Sequence, residues 1–246
     1  MLPEHVQLWH LDEERLRAQS LEFIERNQAL ANHLELIHDA MYVLVHFCCE
    51  HGRRDDDEFA IQVLGIRLFN TSAAGLKLVL AGYCQTALHL LRDLLETANL
   101  LDYFSINPAK IAEWRAAGDK SQVAFAPFKI RKALEAHPNY AGERRDSLYK
   151  MLSAYASHPT FKGAGLLADD QKFNAGPFVD VGLLGDWLLL TAAWLGQGTL
   201  AFSNHLQALT PELQAEKAVF ASAAAAWRDK FLVATPKPPE LPRNSG

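Results

Sequence analysis

The stretch AAGLKLVLAGYCQTALHLLRDLLETANLLDYF, residues 73–104, decides the fold of this chain. It reads as one long apolar helix bearing a narrow polar stripe of Gln85, His89, Arg92, Glu96, Asn99 and Tyr103. The spacing alternates between four and three, so at about 100° per residue the six side chains stay within roughly 80° of arc. A surface helix shows water a much wider arc. This one is therefore expected to be enclosed on most of its circumference, with the stripe lining a cleft, an interface or an internal polar network. An arginine and a glutamate in such a place need partners.

Outward from that helix the same periodicity continues. Residues 11–51 read as a first long helix, with Phe23, Leu30, Ile37 and Leu44 recurring every seven residues and Asn27, Leu34, Met41 and Cys48 interleaved. Gly52 stands where a left-handed cap would close it. A helix over 56–68 is expected to end at Asn70-Thr71-Ser72, with the striped helix beginning there. Pro108 suits the first turn of a short helix that Gly118 ends, and Pro127–Ala136 and Gly142–Ser157 read as two more. Residues 159–178 carry neither period and read as a lid, a contact arm or a disordered loop. Helices over 180–208 and 211–232 follow, the second opened by Thr210-Pro211-Glu212.

No run alternates with period two. The expected fold is all-α, a single bundle of seven or eight helices built on long core helices. Residues 1–233 are expected to be one domain and the proline-rich 234–246 a disordered tail.

The 246 residues are 49% hydrophobic and 22% charged, with net charge −5, a balance that gives no general pull toward nucleic acid or anionic lipid. The N-terminal stretch lacks the basic start and apolar run of a signal peptide. The best membrane candidate, 179–202, carries Asp180, Asp186 and Gln197 and lacks an uninterrupted apolar span. Cys48, Cys49 and Cys84 lie in apolar helical surroundings and read as reduced structural thiols of a cytoplasmic protein.

Four constellations carry possible chemistry. In the stripe, Arg92 precedes Glu96 by four residues, the weaker order for a helix ion pair, so surface stabilisation explains the pair poorly. Its functional reading is an anion held by Arg92 and oriented by His89 or Glu96. The second is Ser153, Tyr155, Ser157 and His158, where His158 ends a helix and opens the long loop. No Gly-x-Ser-x-Gly elbow accompanies it. The third, Glu35 and His38, has the Glu-x-x-His spacing of di-iron bundles but occurs once where such sites need it twice. The fourth is Arg-x(4–6)-His, matched by Arg131–His137 and Arg26–His33. Random placement of the chain's arginines and histidines gives about 1.6 such matches, so the motif carries no signal. No metal or cofactor is assigned.

The block GYCQTALHLLRDLLETANLLDYF (82–104), followed by NPAKIAEW (107–114) and LYKMLSAYASHPTFKG (148–163), resembles a family of bacterial all-helical proteins of unknown function. The matching positions are Gly82, Tyr83, Arg92, Glu96, Ser153 and His158, within residues 65–165. That family is similar in architecture to HEPN domains, helical bundles that often dimerise and sometimes cut RNA. The resemblance thus implies a helical bundle and singles out Arg92 and Glu96. The nuclease members carry Arg-x(4–6)-His at one helix end, whereas Arg92 and His158 here fall on different helices.

Three functional expectations follow. The leading one is a noncatalytic binding or interaction module whose polar cluster is His89, Arg92, Glu96, Ser153, Tyr155 and His158, taking a small anionic ligand or a protein partner. The others are a HEPN-like ribonuclease or toxin relative, and a metal-dependent enzyme. A homodimer is expected, from the heptad seam and the apolar surface of Trp187, Leu188–Leu190 and Trp194. Arg92 and Glu96 are expected to meet His158, with Ser153 or Tyr155 beside them.

Overall fold

The computed structural model describes residues 3–140, 145–167 and 176–233, and among them the fold is all-α. The expected tail 234–246 and the middle of the 159–178 loop lie outside the described residues. Six long helices carry the architecture: α1 Glu4–Arg26, α2 Gln28–Glu50, α3 Asp56–Leu80, α4 Cys84–Ile106, α10 Val181–His205 and α11 Pro211–Arg228. Between α4 and α10 run α5 Lys110–Ala116, α6 Ser121–Ala124, α7 Pro127–Glu135, α8 Arg145–Leu152 and α9 Phe161–Ala164. The segments outnumber the expected seven or eight because the connecting region winds into short helices.

Two long helices break where the sequence reading did not place a break. The expected 11–51 helix divides at Asn27, whose side chain accepts from the Ala29 and Leu30 amides at 3.0 and 3.3 Å. That cap satisfies two donors that would otherwise be orphaned. Phe23, on the far side of the break, leaves the seam and is exposed, while Leu30, Ile37 and Leu44 stay buried. Gly52 does not close α2 in the left-handed region, because His51 ends the helix in extended backbone.

The second correction concerns the striped helix. Asn70-Thr71-Ser72 caps nothing, and α3 runs through it to Leu80. The break falls at Gly82, which holds φ +87°, and a Cβ there would lie 2.7 Å from the Phe178 backbone. The Phe178 amide donates to the Gly82 carbonyl at 3.2 Å. Both the left-handed turn and the close approach require glycine. Pro108 lies in a turn ahead of α5 rather than in its first turn.

The remaining caps follow the reading. Asp180 accepts from the Leu183 amide at 2.9 Å to open α10, and Thr210 accepts from Leu213 at 3.3 Å to open α11, with Pro211 at its first position.

α10 is the inner helix, packed on α2, α3 and α4, and α4 lies against both α3 and α10. This is the segment that read as the best membrane candidate. Trp187, Leu188, Leu190 and Trp194 are buried within the chain. Trp187 lies against Gly75 and donates to the Ala87 carbonyl at 3.0 Å. Trp187 and Leu188 of the apolar surface expected to drive a homodimer pack inside the chain, while Leu189, Leu190 and Trp194 line a groove. By length and composition one helix, α3, is apolar enough to cross a bilayer, and it packs on α2, α4 and α10. The cysteines are free, and burial pushes the Cys48 and Cys84 thiols up to about 12 and about 11.

The face of α4 left free by α3 and α10 is covered by α7, α8 and the turn that follows α8. That face is the polar stripe.

Candidate functional site

The cover over the stripe is built by a local irregularity. After Leu152 the backbone widens into a π-helical turn, Ser153–Ser157, closed by the His158 amide donating to the Ser153 carbonyl at 3.2 Å. Carbonyls loosened by the wider turn need donors from elsewhere. Gln85 Nε2 supplies one to Tyr155 O and reaches Gly163 O, both at 3.3 Å. The Thr160 hydroxyl donates to Ala154 O. A Cβ at Gly163 would meet Tyr155 O at 2.7 Å, so a larger residue would force the turn off α4.

Along the stripe, His89 Nδ1 lies 3.2 Å from the Ser157 hydroxyl. Arg92 Nε donates to Glu96 Oε1 at 3.0 Å, and its Nη2 donates to the Tyr149 hydroxyl at 2.5 Å. The Arg92 guanidinium stands 4.6 Å from the centre of the Tyr149 ring, and Arg131 of α7 stacks on the same ring at 3.6 Å. Arg92 and Glu96 are only 20% and 28% exposed, so they lie at the mouth of a seam rather than on an open surface.

Arg131 is the unusual member. Its side chain is 6% exposed, and its one carboxylate partner is Asp146 at a long 3.4 Å. Asp146 is claimed more closely by Lys150 at 2.5 Å, and that hydrogen bond holds its carboxyl below the usual range. Arg131 Nε and Nη1 have no hydrogen-bond partner among the described residues.

Farther along α4 the stripe changes character. Asn99 Oδ1 accepts from Arg145, which is fully buried. Arg145 also donates to Asp102 Oδ2 at 2.7 Å, and Gln197 of α10 donates to the same oxygen at 2.9 Å. The guanidinium lies 4.9 Å from the Trp194 ring and 5.2 Å from Tyr140. A buried arginine survives by such saturation with hydrogen bonds and aromatic faces. Tyr103, the last of the stripe, packs against Phe125 at 6.5 Å between ring centres.

Of the expected cluster, then, Arg92 and Glu96 are part-buried on one face of α4, His89 is exposed one turn earlier beside Ser157, and the turn bearing Ser153 and Tyr155 packs along that face. Ser153 Oγ is buried without a partner, while Tyr155 contributes its carbonyl rather than its ring hydroxyl. His158 is a correction. It ends the π turn in extended backbone, its side chain is exposed, and it has no hydrogen bond to Arg92 or Glu96. The partner of Arg92 is Tyr149, within the quoted LYKML stretch and passed over because a tyrosine beside leucines reads as core. Arg131 entered the sequence reading only through a chance motif, although Ile130 and Leu134 place it beside a buried face. Nothing in the sequence around Arg145 signals its burial.

His89 has no carboxylate on its other imidazole nitrogen among the described residues, so the Ser157–His89 pair lacks the third member of a nucleophilic triad. Glu35 and His38 are exposed, and among the described residues no group of three or more His, Cys, Asp and Glu is placed to hold a metal. A groove of about 1510 Å³ runs along α10, with Trp194, Leu200 and Trp227 among its apolar walls and Asp102 and Gln197 on its floor. That floor is already paired internally. Compared with protein-family models, curated proteins and solved structures, the chain matches none.

Proposed function

We propose that this chain is a cytoplasmic, noncatalytic binding module, HEPN-like in architecture, that receives an anionic group of a small ligand or partner protein in the seam between α4, α7 and α8. The observation that carries the reading is Arg131. A buried guanidinium with two donors unpaired among the described residues is costly, and its positive charge backs the part-exposed Arg92, which stands on the same Tyr149 ring and offers an accessible guanidinium to an oxyanion. Charge supports the same reading: among the described residues, the ion pairs of Arg92, Arg131 and Lys150 are with Glu96 and Asp146. Tyr149 holds both arginines in place, so little side-chain ordering remains to be done when a ligand arrives.

The reading is tested on the full chain by following arginine Nε–H resonances during titration with inorganic phosphate, against sodium chloride at equal ionic strength. A saturable shift at Arg131 that is lost in Arg131→Met is expected. A response that tracks ionic strength alone would overturn it. The ribonuclease and metal-enzyme readings gain no support from the residues brought together here.

A further inference from the structure

α3 is apolar on the side turned to solvent as well as on the side packed against α2, α4 and α10. Only 39% of its most apolar stretch is buried. The outward side carries Phe59, Val63, Ile66, Asn70, Ala73 and Lys77, at steps of four, three, four, three and four. That is the seven-residue spacing of a seam that packs on another helix. Phe59, Val63 and Ile66 are 47%, 46% and 37% exposed, so no element among the described residues covers the seam. The Arg53 guanidinium stacks on Phe59 at 4.6 Å and marks one end of it.

The seam complements itself when two copies run antiparallel. Phe59 then lies opposite Lys77 of the second copy, Val63 opposite Ala73, and Ile66 opposite Asn70, so each bulky side chain meets a smaller or more flexible one. A parallel pair would instead set Phe59 on Phe59 and Lys77 on Lys77. Charge selects the same arrangement. The first turn of α3 holds Asp56, Asp57 and Glu58, and its last turn holds Lys77, which makes no ion pair among the described residues. Antiparallel pairing brings each Lys77 to the acidic turn of the other copy and opposes the two helix dipoles. A helix face roughly 30 Å long and about 10 Å wide falls short of the roughly 800 Å² per copy of a tight complex. The apolar surface continues past Val63, across a small cavity also lined by Phe125 and Pro127, to Phe128, which is 61% exposed. The association expected is therefore micromolar. We propose that the outward face of α3 docks on the same face of a second copy, antiparallel about a two-fold axis near Leu68. The contact uses neither Arg92 nor Arg131, so it stands or falls independently of anion binding.

The test is sedimentation equilibrium of the full chain from low to high micromolar concentration. The mass is expected to rise from 27.4 kDa toward twice that value. Ile66→Glu places a carboxylate in the contact and should weaken association roughly a hundredfold, with an unchanged helical spectrum. Register is read by oxidative cross-linking of Val63→Cys and Ala73→Cys variants, each also carrying Cys49→Ser to remove the exposed native thiol. A cross-link is expected when the two are mixed and not from either alone, because like positions lie about 15 Å apart along an antiparallel pair. A mass of 27.4 kDa throughout, undiminished association of folded Ile66→Glu, or a Val63→Cys cross-link without its partner variant would each overturn the proposal. So would flotation with phosphatidylglycerol vesicles that Ile66→Glu abolishes in a chain that stays monomeric, which would assign the face to a bilayer. Should Ile66→Glu fail to fold, the wild-type masses and the cysteine mixture decide the matter.

Discussion

The Arg92 seam and the Arg145 network occupy successive turns of one helix, yet they treat a charged side chain in opposite ways. Arg145 is fully buried, with Asn99, Asp102 and two aromatic rings around it. Arg92 is part-exposed at the mouth of a seam, and its neighbour Arg131 keeps two donors unused. The difference teaches that polar placement on a buried face has two uses. A cluster whose charged groups are paired fixes how α4, α8 and α10 register against one another, and one with guanidinium donors unpaired among the described residues leaves charge available for a ligand.

Breaking the saturated side should have the largest effect. Arg145→Ala removes the guanidinium that balances the buried Asp102 carboxylate and is expected to cost about 3–5 kcal/mol in denaturant unfolding. A loss under about 1 kcal/mol would show that the two regions do not differ as described. Next comes the hinge that sets α4 against the cover. Gly82→Ala meets both a positive φ and the Phe178 backbone, and roughly 1–3 kcal/mol of stability should disappear in thermal unfolding.

A third test extends the comparison to the wall of the large groove, where His33 accepts from Trp227 Nε1 at 3.1 Å. Burial, and then the Lys230 charge, hold its imidazole down to about 4 from the usual 6.5. Protons bind the unfolded chain more readily between those values. The stability from neutral His33 is therefore complete above about pH 6.5 and is lost as the pH falls toward 4. Unfolding free energies measured across that window should fall with acidification, and His33→Phe should flatten the slope. The smallest effect on stability belongs to the open side. Arg92→Ala removes a part-buried pair at the edge of the cover and should cost about 1 kcal/mol, while abolishing the phosphate-induced shifts of the seam. A sharp drop in melting temperature would instead make the seam a structural element.

Much of the helical content was legible because capping and periodicity are local. The Thr210-Pro211 start, the start near 180 and the Pro127 start are where the structure has them, since a cap three residues away or a proline in the first turn needs no distant partner. The errors fell where a distant contact overrode a local signal. Asn70-Thr71-Ser72 has the composition of a cap, but Thr71 bonds Asp93 and Ser72 is buried, so α3 continues through them. Gly82 breaks the chain instead because Phe178, far along the sequence, approaches its backbone.

The sequence by itself determined that this is an all-helical chain with one enclosed helix whose charged stripe requires partners, because 3.6-residue periodicity and the cost of burying charge both act within a segment. Which partners those are, only the tertiary structure decided. Tyr149 rather than His158 meets Arg92, and Arg145 fills the space beside Asn99. The physical reason is that Tyr149 and Arg145 lie on α8, whose docking against α4 and α7 is a tertiary contact, while the π turn at Ser153–Ser157 sets His158 in extended backbone beyond that helix. No spacing rule within the segment encodes that docking.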